Sequence, residues 1–575
     1  MQKISELTRH QSSGVIRIYF LSFIALLTFS VSLFAQTFPN CEHKFSPANG
    51  GYPFVRDRKP VRLPSERLLI GEVRVTRLPV FDESNDKENN LFYRLANRIH
   101  ILTKEPIVLQ QLLFEVTEDF DPRSTQETQR LLRAQGGFFD ADIRPYRVCD
   151  GKVDLEVITR DSWSLTPNIG FDRAGGENNF SMGLRDTNIL GLGNQLSIAA
   201  SQDIDRQSTE LIYEDNNVFG TRLRNYTEFI DSDDGFTHIF EFGLPFFELD
   251  SKNSWRVRLE NDERVDELFF RGEEVAGAVH ALERYSFEYG FSQGLADGYS
   301  RRWLIGYGYR SDEFSLTDEL SAPADFPSNR VFSFPFIKYE SVEDNFVTAI
   351  NLEQIYLTED LHIGSRLNLS VGIAAEQFGS DQNRLVLQGS YADTLLYNSR
   401  QLSQHKLHFD GFWNEASGQL EDFVLNYEAR YFQRQAGPFG LFVNFNAAYS
   451  VNLNSNRQIV MGGIAGARAF DNRFQAGDRS VVLSVEERVY SNLHLFNLVR
   501  VGAAVFADIG RAWEPGIDDG VADDYLVNVG FGLRLGSSKS ASSRVAHIDL
   551  AIPVSNRDDP DVGNFQISVE VKSSF

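Results

Sequence analysis

Apolar and polar residues alternate along most of this chain. Near its end, Phe565, Ile567, Val569, Val571 and Phe575 alternate with Gln566, Ser568, Glu570, Lys572 and Ser574. Successive side chains of a strand point to opposite faces, so the pattern predicts a strand with one greasy and one wet face. It recurs far upstream. Tyr525, Val527, Val529, Phe531, Leu533 and Leu535 alternate with Asn528, Gly530, Gly532 and Arg534. Tyr285, Phe287, Tyr289 and Phe291 do so against Ser286, Glu288, Gly290 and Ser292, and Trp303, Ile305 and Tyr307 follow suit. Charges and glycines on the second face argue against dry packing there. Repeated strands of about ten residues, aromatic on one side and polar on the other, are the pattern of a transmembrane β-barrel. The alternative is a large soluble β-sandwich, whose inner faces also alternate.

The alternation starts near Ser164. Residues 1–35 predict an export signal: Lys3, Arg9 and Arg17 precede the apolar stretch from Ile18 to Phe34, and the small Ala35 follows. Residues 36–65 form an extension rich in Pro, Gly and charge. Residues 66–161 predict a small α+β domain. Leu69 to Leu78 is a strand, and Asn89 to Ile99 a helix with Leu91, Leu95 and Ile99 on one face. Asp121-Pro122 opens a second helix that Gly136-Gly137 ends. Two further strands, Phe139 to Cys149 and Val153 to Arg160, are joined by Asp150-Gly151, a hairpin signal. The order is β-α-α-β-β, and residues 162–575 form the barrel. The predicted fold class is therefore mainly β, a transmembrane antiparallel barrel behind a small α+β domain.

Composition narrows the reading. Past the N-terminus no run of about eighteen apolar residues exists, so any membrane crossing must use strands. Aromatics make up 13% of the 575 residues, which suits girdles at membrane interfaces. The formal net charge of −24 disfavours nucleic acid as a partner. No nucleophile elbow, His-Glu-X-X-His or phosphate loop is found, so no catalytic residue, metal or cofactor is expected and the chain is not read as an enzyme. Cys41 and Cys149 have no metal or redox spacing; in an exported chain they are candidates to pair.

Several stretches carry a family resemblance. Phe180 to Gly193 holds an early hairpin ending Asn-Ile-Leu-Gly-Leu-Gly, and Asp161 to Pro167 precedes it as a junction. Gly462-Gly463-Ile-Ala-Gly-Ala-Arg468-Ala-Phe470 is similar to a signature loop, with Ala467 and Ala469 where Val or Ile and Gly are usual. Val485 to Tyr490, Phe506-Ala-Asp-Ile-Gly510, Val529 to Leu535, Ile548 to Pro553 and the terminal Phe575 follow it. These stretches, with the preceding α+β domain, resemble the POTRA–barrel superfamily that includes BamA, TamA and the FhaC-type transporters. The resemblance implies sixteen strands, five of them after the signature loop, although the strand-like segments number about twenty, mainly through an excess in 331–435. It implies that the loop folds into the lumen, where Arg468 meets Glu486 or Asp508. It also implies an outer membrane of a Gram-negative bacterium, with lipid around the barrel and the POTRA-like domain in the periplasm. Client polypeptides would add to that domain as strands, with room for accessory periplasmic proteins.

Three functions compete. The first is insertion or translocation of polypeptides, by an accessory or client-specific member since only one POTRA-like domain is visible. The second is a passive pore, in which that domain has no role. The third is dedicated export of one partner or of lipid.

Overall fold

The computed structural model describes residues 42–43, 63 and 67–572, apart from 204, 356, 518–519, 522–523 and 541–544. The signal segment 1–35, Cys41 and Phe575 lie outside the described residues.

The N-terminal domain is a four-stranded sheet on which two of its helices pack. Its strands are β1 (Glu42–His43), β2 (Leu69–Leu78), β3 (Phe138–Cys149) and β4 (Lys152–Asp161), in the order β1-β3-β4-β2. β2 lies parallel to β4, and β3 and β4 form the hairpin that Asp150 and Gly151 turn with φ of 51° and 68°. The helices are α1 (Leu91–Ile99), α2 (Glu105–Leu109) and α3 (Pro122–Ala134). Asn90 caps α1 by accepting from the Tyr93 N–H at 3.0 Å. Asp121 caps α3, with Pro122 in its first turn. The short α2 is an addition to the predicted β-α-α-β-β order, lying where the sequence shows only an apolar stretch. Ile70, Val108, Leu132, Phe138, Leu155 and Val157 form the core. β1 brings the extension onto β3, with Glu42 opposite Val148. Cys149, one residue further, is disulfide-bonded.

From β5 (Leu165–Ala174) onwards the chain closes into an antiparallel barrel of twenty strands. This is the upper end of the expected range and not the sixteen that the resemblance implies. Five strands follow the signature loop, as expected; fifteen precede it. The surplus lies partly in 331–435, where Arg330–Glu343, Arg366–Ala374, Arg384–Asn398, Gln401–Asn414 and Gln419–Arg434 all join the wall. Between the first two of these, Phe346–Ala349 and Glu359–His362 pair only with each other, as a hairpin outside the wall.

The two faces of the wall separate as the alternation predicts. Phe287, Tyr289, Trp303, Ile305, Phe531 and Leu533 are exposed on the outside. Asp312, Arg384, Glu486, Arg488, Asp508, Arg534 and Asp549 are buried on the inside. The α+β domain sits on one rim. The Lys104 N–H donates to the Gly191 carbonyl at 2.9 Å, Gln111 donates to Asn217 at 2.7 Å, and the Glu127 carboxylate accepts from the Leu249 N–H at 2.8 Å. Asp161, at the end of β4, accepts from the Thr103 N–H at 2.7 Å, so the junction itself is hydrogen-bonded.

Candidate functional site

Two inserts enter the lumen from opposite rims. The first is the signature loop, residues 452–478. A short ladder, Ile459–Met461 against Gln475–Gly477, narrows its neck. At Gly462 the backbone takes φ 119°, and a Cβ there would fall 2.1 Å from the Asp471 carbonyl. Only glycine fits this turn. The residues beyond it pack into a dry cluster of Met461, Ala467, Phe470, Phe474, Val482 and Phe506. Gly463, just beyond the neck, takes φ 54° and lies against Asn472.

Arg468 is the polar centre of this loop. Its Nε and Nη2 donate to the two oxygens of Asp508 at 2.9 and 2.8 Å, a bidentate fork. Its Nη1 donates to Glu486 and to Asp549, both at 3.0 Å. The guanidinium lies 3.4 Å from the Phe506 ring centre. The structure thus brings together Arg468, Glu486 and Asp508. It adds Asp549, which the reading of the sequence omits even though Ile548 and Leu550 flank it in the same alternation. Arg534 pairs with Asp549, Arg488 donates to Glu486 at 3.0 Å, and Asn528 donates to Asp508 at 2.8 Å. Three arginines therefore face three carboxylates in a buried cluster. Such charges need this complete pairing, because desolvation is otherwise uncompensated. Ala469 has no positive φ; that conformation falls on Ala467, at φ 59°. The methyl that replaces the usual glycine is thus unstrained and buried.

The loop also reaches the place where the cylinder closes. The last strand, Gln566–Lys572, meets β5 through one registered pair among the described residues, Val569 opposite Arg173. The ladders between all other neighbours run for seven residues or more. Across this seam the Asn472 N–H donates to the Gly175 carbonyl at 3.0 Å, and Gln566 donates to Asp471 at 2.6 Å. Phe565, Ile567 and Val571 are exposed on the outer face of the last strand, as their alternation predicts.

The second insert, the hairpin Phe346–His362, enters from the rim that carries the α+β domain. Arg133 of α3 holds Asp360 through two bonds, and Arg130 stacks over Phe346 at 4.0 Å. Its tip reaches the wall. Leu352 packs with Leu402 and Phe432, and Ile355 with Val545. Arg430 pairs with Glu353 at 2.9 Å, and the Tyr490 hydroxyl donates to the Leu352 carbonyl at 3.2 Å. Arg488 donates to that carbonyl at 3.5 Å and to Glu486. The pair Glu486–Arg488 on one strand therefore touches both inserts. The sequence gives little warning of this hairpin. Its strands are four residues each, too short for alternation to register.

The tip is shaped by Glu359, whose carboxylate accepts from the N–H groups of Leu352, Glu353 and Gln354 at 2.9, 2.9 and 3.3 Å. Burial pushes this carboxyl up to about 7 from 4.5, despite those donors. The folded hairpin thus holds a proton that an opened one releases. Stability from this group falls as pH rises from 4.5 to about 7 and levels off above that. Glu359→Gln cannot ionise. Compared with that variant, the wild-type thermal midpoint is expected to drop across this window; parallel pH curves for the two would refute the assignment.

No family model and no curated protein matches this chain. Among solved structures it is similar to BamA from Haemophilus ducreyi lacking POTRA domains 1–3. The identity is 14%, over 87% of this chain and 84% of that one, with a TM-score of 0.39. It is also similar to CdiB from Acinetobacter baumannii, at 12% identity over 96% of each chain and a TM-score of 0.38. For CdiB from Escherichia coli the values are 11%, 89% of this chain, 92% of that one and 0.35. The chain's own strands and lumen define a twenty-stranded closed barrel with an apolar exterior, a charged interior filled from both ends, and an α+β domain on one rim.

Proposed function

We propose that this chain is an outer-membrane barrel that inserts or translocates polypeptides, with its α+β domain in the periplasm. The observation that carries the reading is the seam between β5 and the last strand, which has one registered pair among the described residues and is bridged by the Arg468 loop. A strand edge left weakly paired is a hazard in a resting barrel and a template for an incoming strand. The apolar exterior and charged lumen suit a bilayer. In the α+β domain, β2 is an edge strand that pairs with β4 alone along most of its length, which offers a place for an extended client. A passive pore is disfavoured by two inserts that fill the lumen.

Locking the seam tests this. Arg173→Cys with Val569→Cys joins the two registered positions by a disulfide. The oxidised protein is expected to reproduce the outer-membrane proteome of a depletion strain, and reduction to restore it. Loss of many barrels would mark a general insertase, and loss of one product a client-specific exporter. A locked barrel that leaves the proteome of the wild type intact would refute the reading.

A further inference from the structure

Helix α1 carries an apolar face that nothing among the described residues covers. Leu91, Phe92, Leu95 and Ile99 are 76%, 67%, 51% and 64% exposed. The helix is nonetheless fixed in orientation. On its other side Tyr93 stacks on Phe81 at 4.4 Å, and the Asn97 amide both accepts from and donates to the Phe81 backbone, at 3.1 and 2.9 Å. The outward turn of the apolar side chains is therefore set by packing on the inward one. The helix contains no acidic residue in a chain with a formal charge of −24; its charged positions, Arg94 and Arg98, are both exposed.

The position of α1 says what covers it. The Tyr93 hydroxyl donates to the Phe496 carbonyl, in the rim turn that joins Arg479–Leu495 to Val499–Trp513. Just after the helix, the Lys104 N–H bonds to Gly191 in the rim turn before Gln195–Gln202. At both turns the tip is a bulky apolar side chain in the left-handed region: Phe496 at φ 52° and Leu190 at φ 53°, both exposed. A third rim turn repeats this with Phe219 at φ 55°. Water-facing tips of this conformation ordinarily carry glycine or asparagine. Exposed apolar side chains thus run from the outer wall through the rim turns to α1, whose own charges are basic, while Asp82, Glu83, Asp86 and Glu88 lie in the loop before it, on the Asn97 side of the helix.

We infer that α1 lies in the headgroup layer of the leaflet on the α+β-domain side, with Leu91, Phe92, Leu95 and Ile99 against acyl chains and Arg94 and Arg98 on lipid phosphates. This rests on the membrane reading proposed above. It gives the single α+β domain a second, lipid-borne attachment that holds it at one angle to the bilayer.

The test uses the full chain in bilayers of phosphatidylethanolamine and phosphatidylglycerol. A bimane label is attached under non-reducing conditions at Leu95→Cys, at Phe531→Cys on the outer wall, or at Glu118→Cys on the exposed far end of the domain. Brominated lipids are expected to quench positions 95 and 531 about twofold and to spare 118. Bromines near the headgroups should act more strongly at 95, and deep bromines at 531. Quenching at 531 with none at 95 overturns the inference and leaves the membrane reading intact. Absence of quenching at both sites defeats both. A photo-crosslinker at 95 that captures a protein in whole envelopes, in place of lipid, assigns the face to a protein partner and also overturns the inference.

Discussion

Arg468→Ala is expected to abolish the heat-resistant, fast-migrating form of the barrel on semi-native gels. The side chain makes four charge-assisted bonds, to Asp508, Glu486 and Asp549. Without it, two arginines remain for three buried carboxylates, and one charge is left uncompensated. Breaking a buried pair in this way costs about 3–5 kcal/mol. Arg468→Lys restores the charge but not the planar fork on Asp508, so it should recover only part of the loss. Pairing Arg468→Ala with Asp508→Asn removes the surplus charge and should recover more stability than Asn alone would suggest. Wild-type migration of Arg468→Ala at every temperature would mean that the cluster contributes nothing to closure.

The second large effect is on the bore. A barrel of this size leaves an aqueous channel unless it is filled. Here the fillers are the Arg468 loop and the hairpin Phe346–His362. Replacing residues 350–358 by a short Gly-Ser turn removes Leu352, Glu353 and Ile355 from the wall while retaining the Arg133–Asp360 clamp. Conductance in planar bilayers is expected to rise by about tenfold or more over the wild type. Arg468→Ala alone should open less, since the hairpin still covers its rim, and the two changes together should open most. A trimmed protein that conducts no better than the wild type would show that the hairpin does not fill the bore.

The strand pattern and the wall side of the arginine site were legible from the sequence for the same reason. Alternation assigns each residue to a face, so Glu486 and Asp508 could be placed inside without coordinates, while the entry of Arg468 among them was implied only by the resemblance. Asp549 obeys the same rule and could have been named by applying it one strand further. The strand number was legible in the local signal, which counts about twenty segments, and it was the sixteen implied by the resemblance that failed. The second insert was not legible. Its ladder is four residues long, and its hold on the wall comes from Leu352 and Ile355, apolar residues without a strand period whose partners lie on distant strands. The short α2 escaped notice because five residues are too few to show a helical period.

Asp471 and Asn472 give the signature loop a consequence beyond filling space. One grips Gln566 of the final strand and the other the backbone at Gly175, so a single segment clasps both margins of the cylinder from within. Withdrawing that segment would clear its own end of the passage and unfasten the wall in one movement. Traffic along the axis and sideways release into the bilayer would then answer to a common latch.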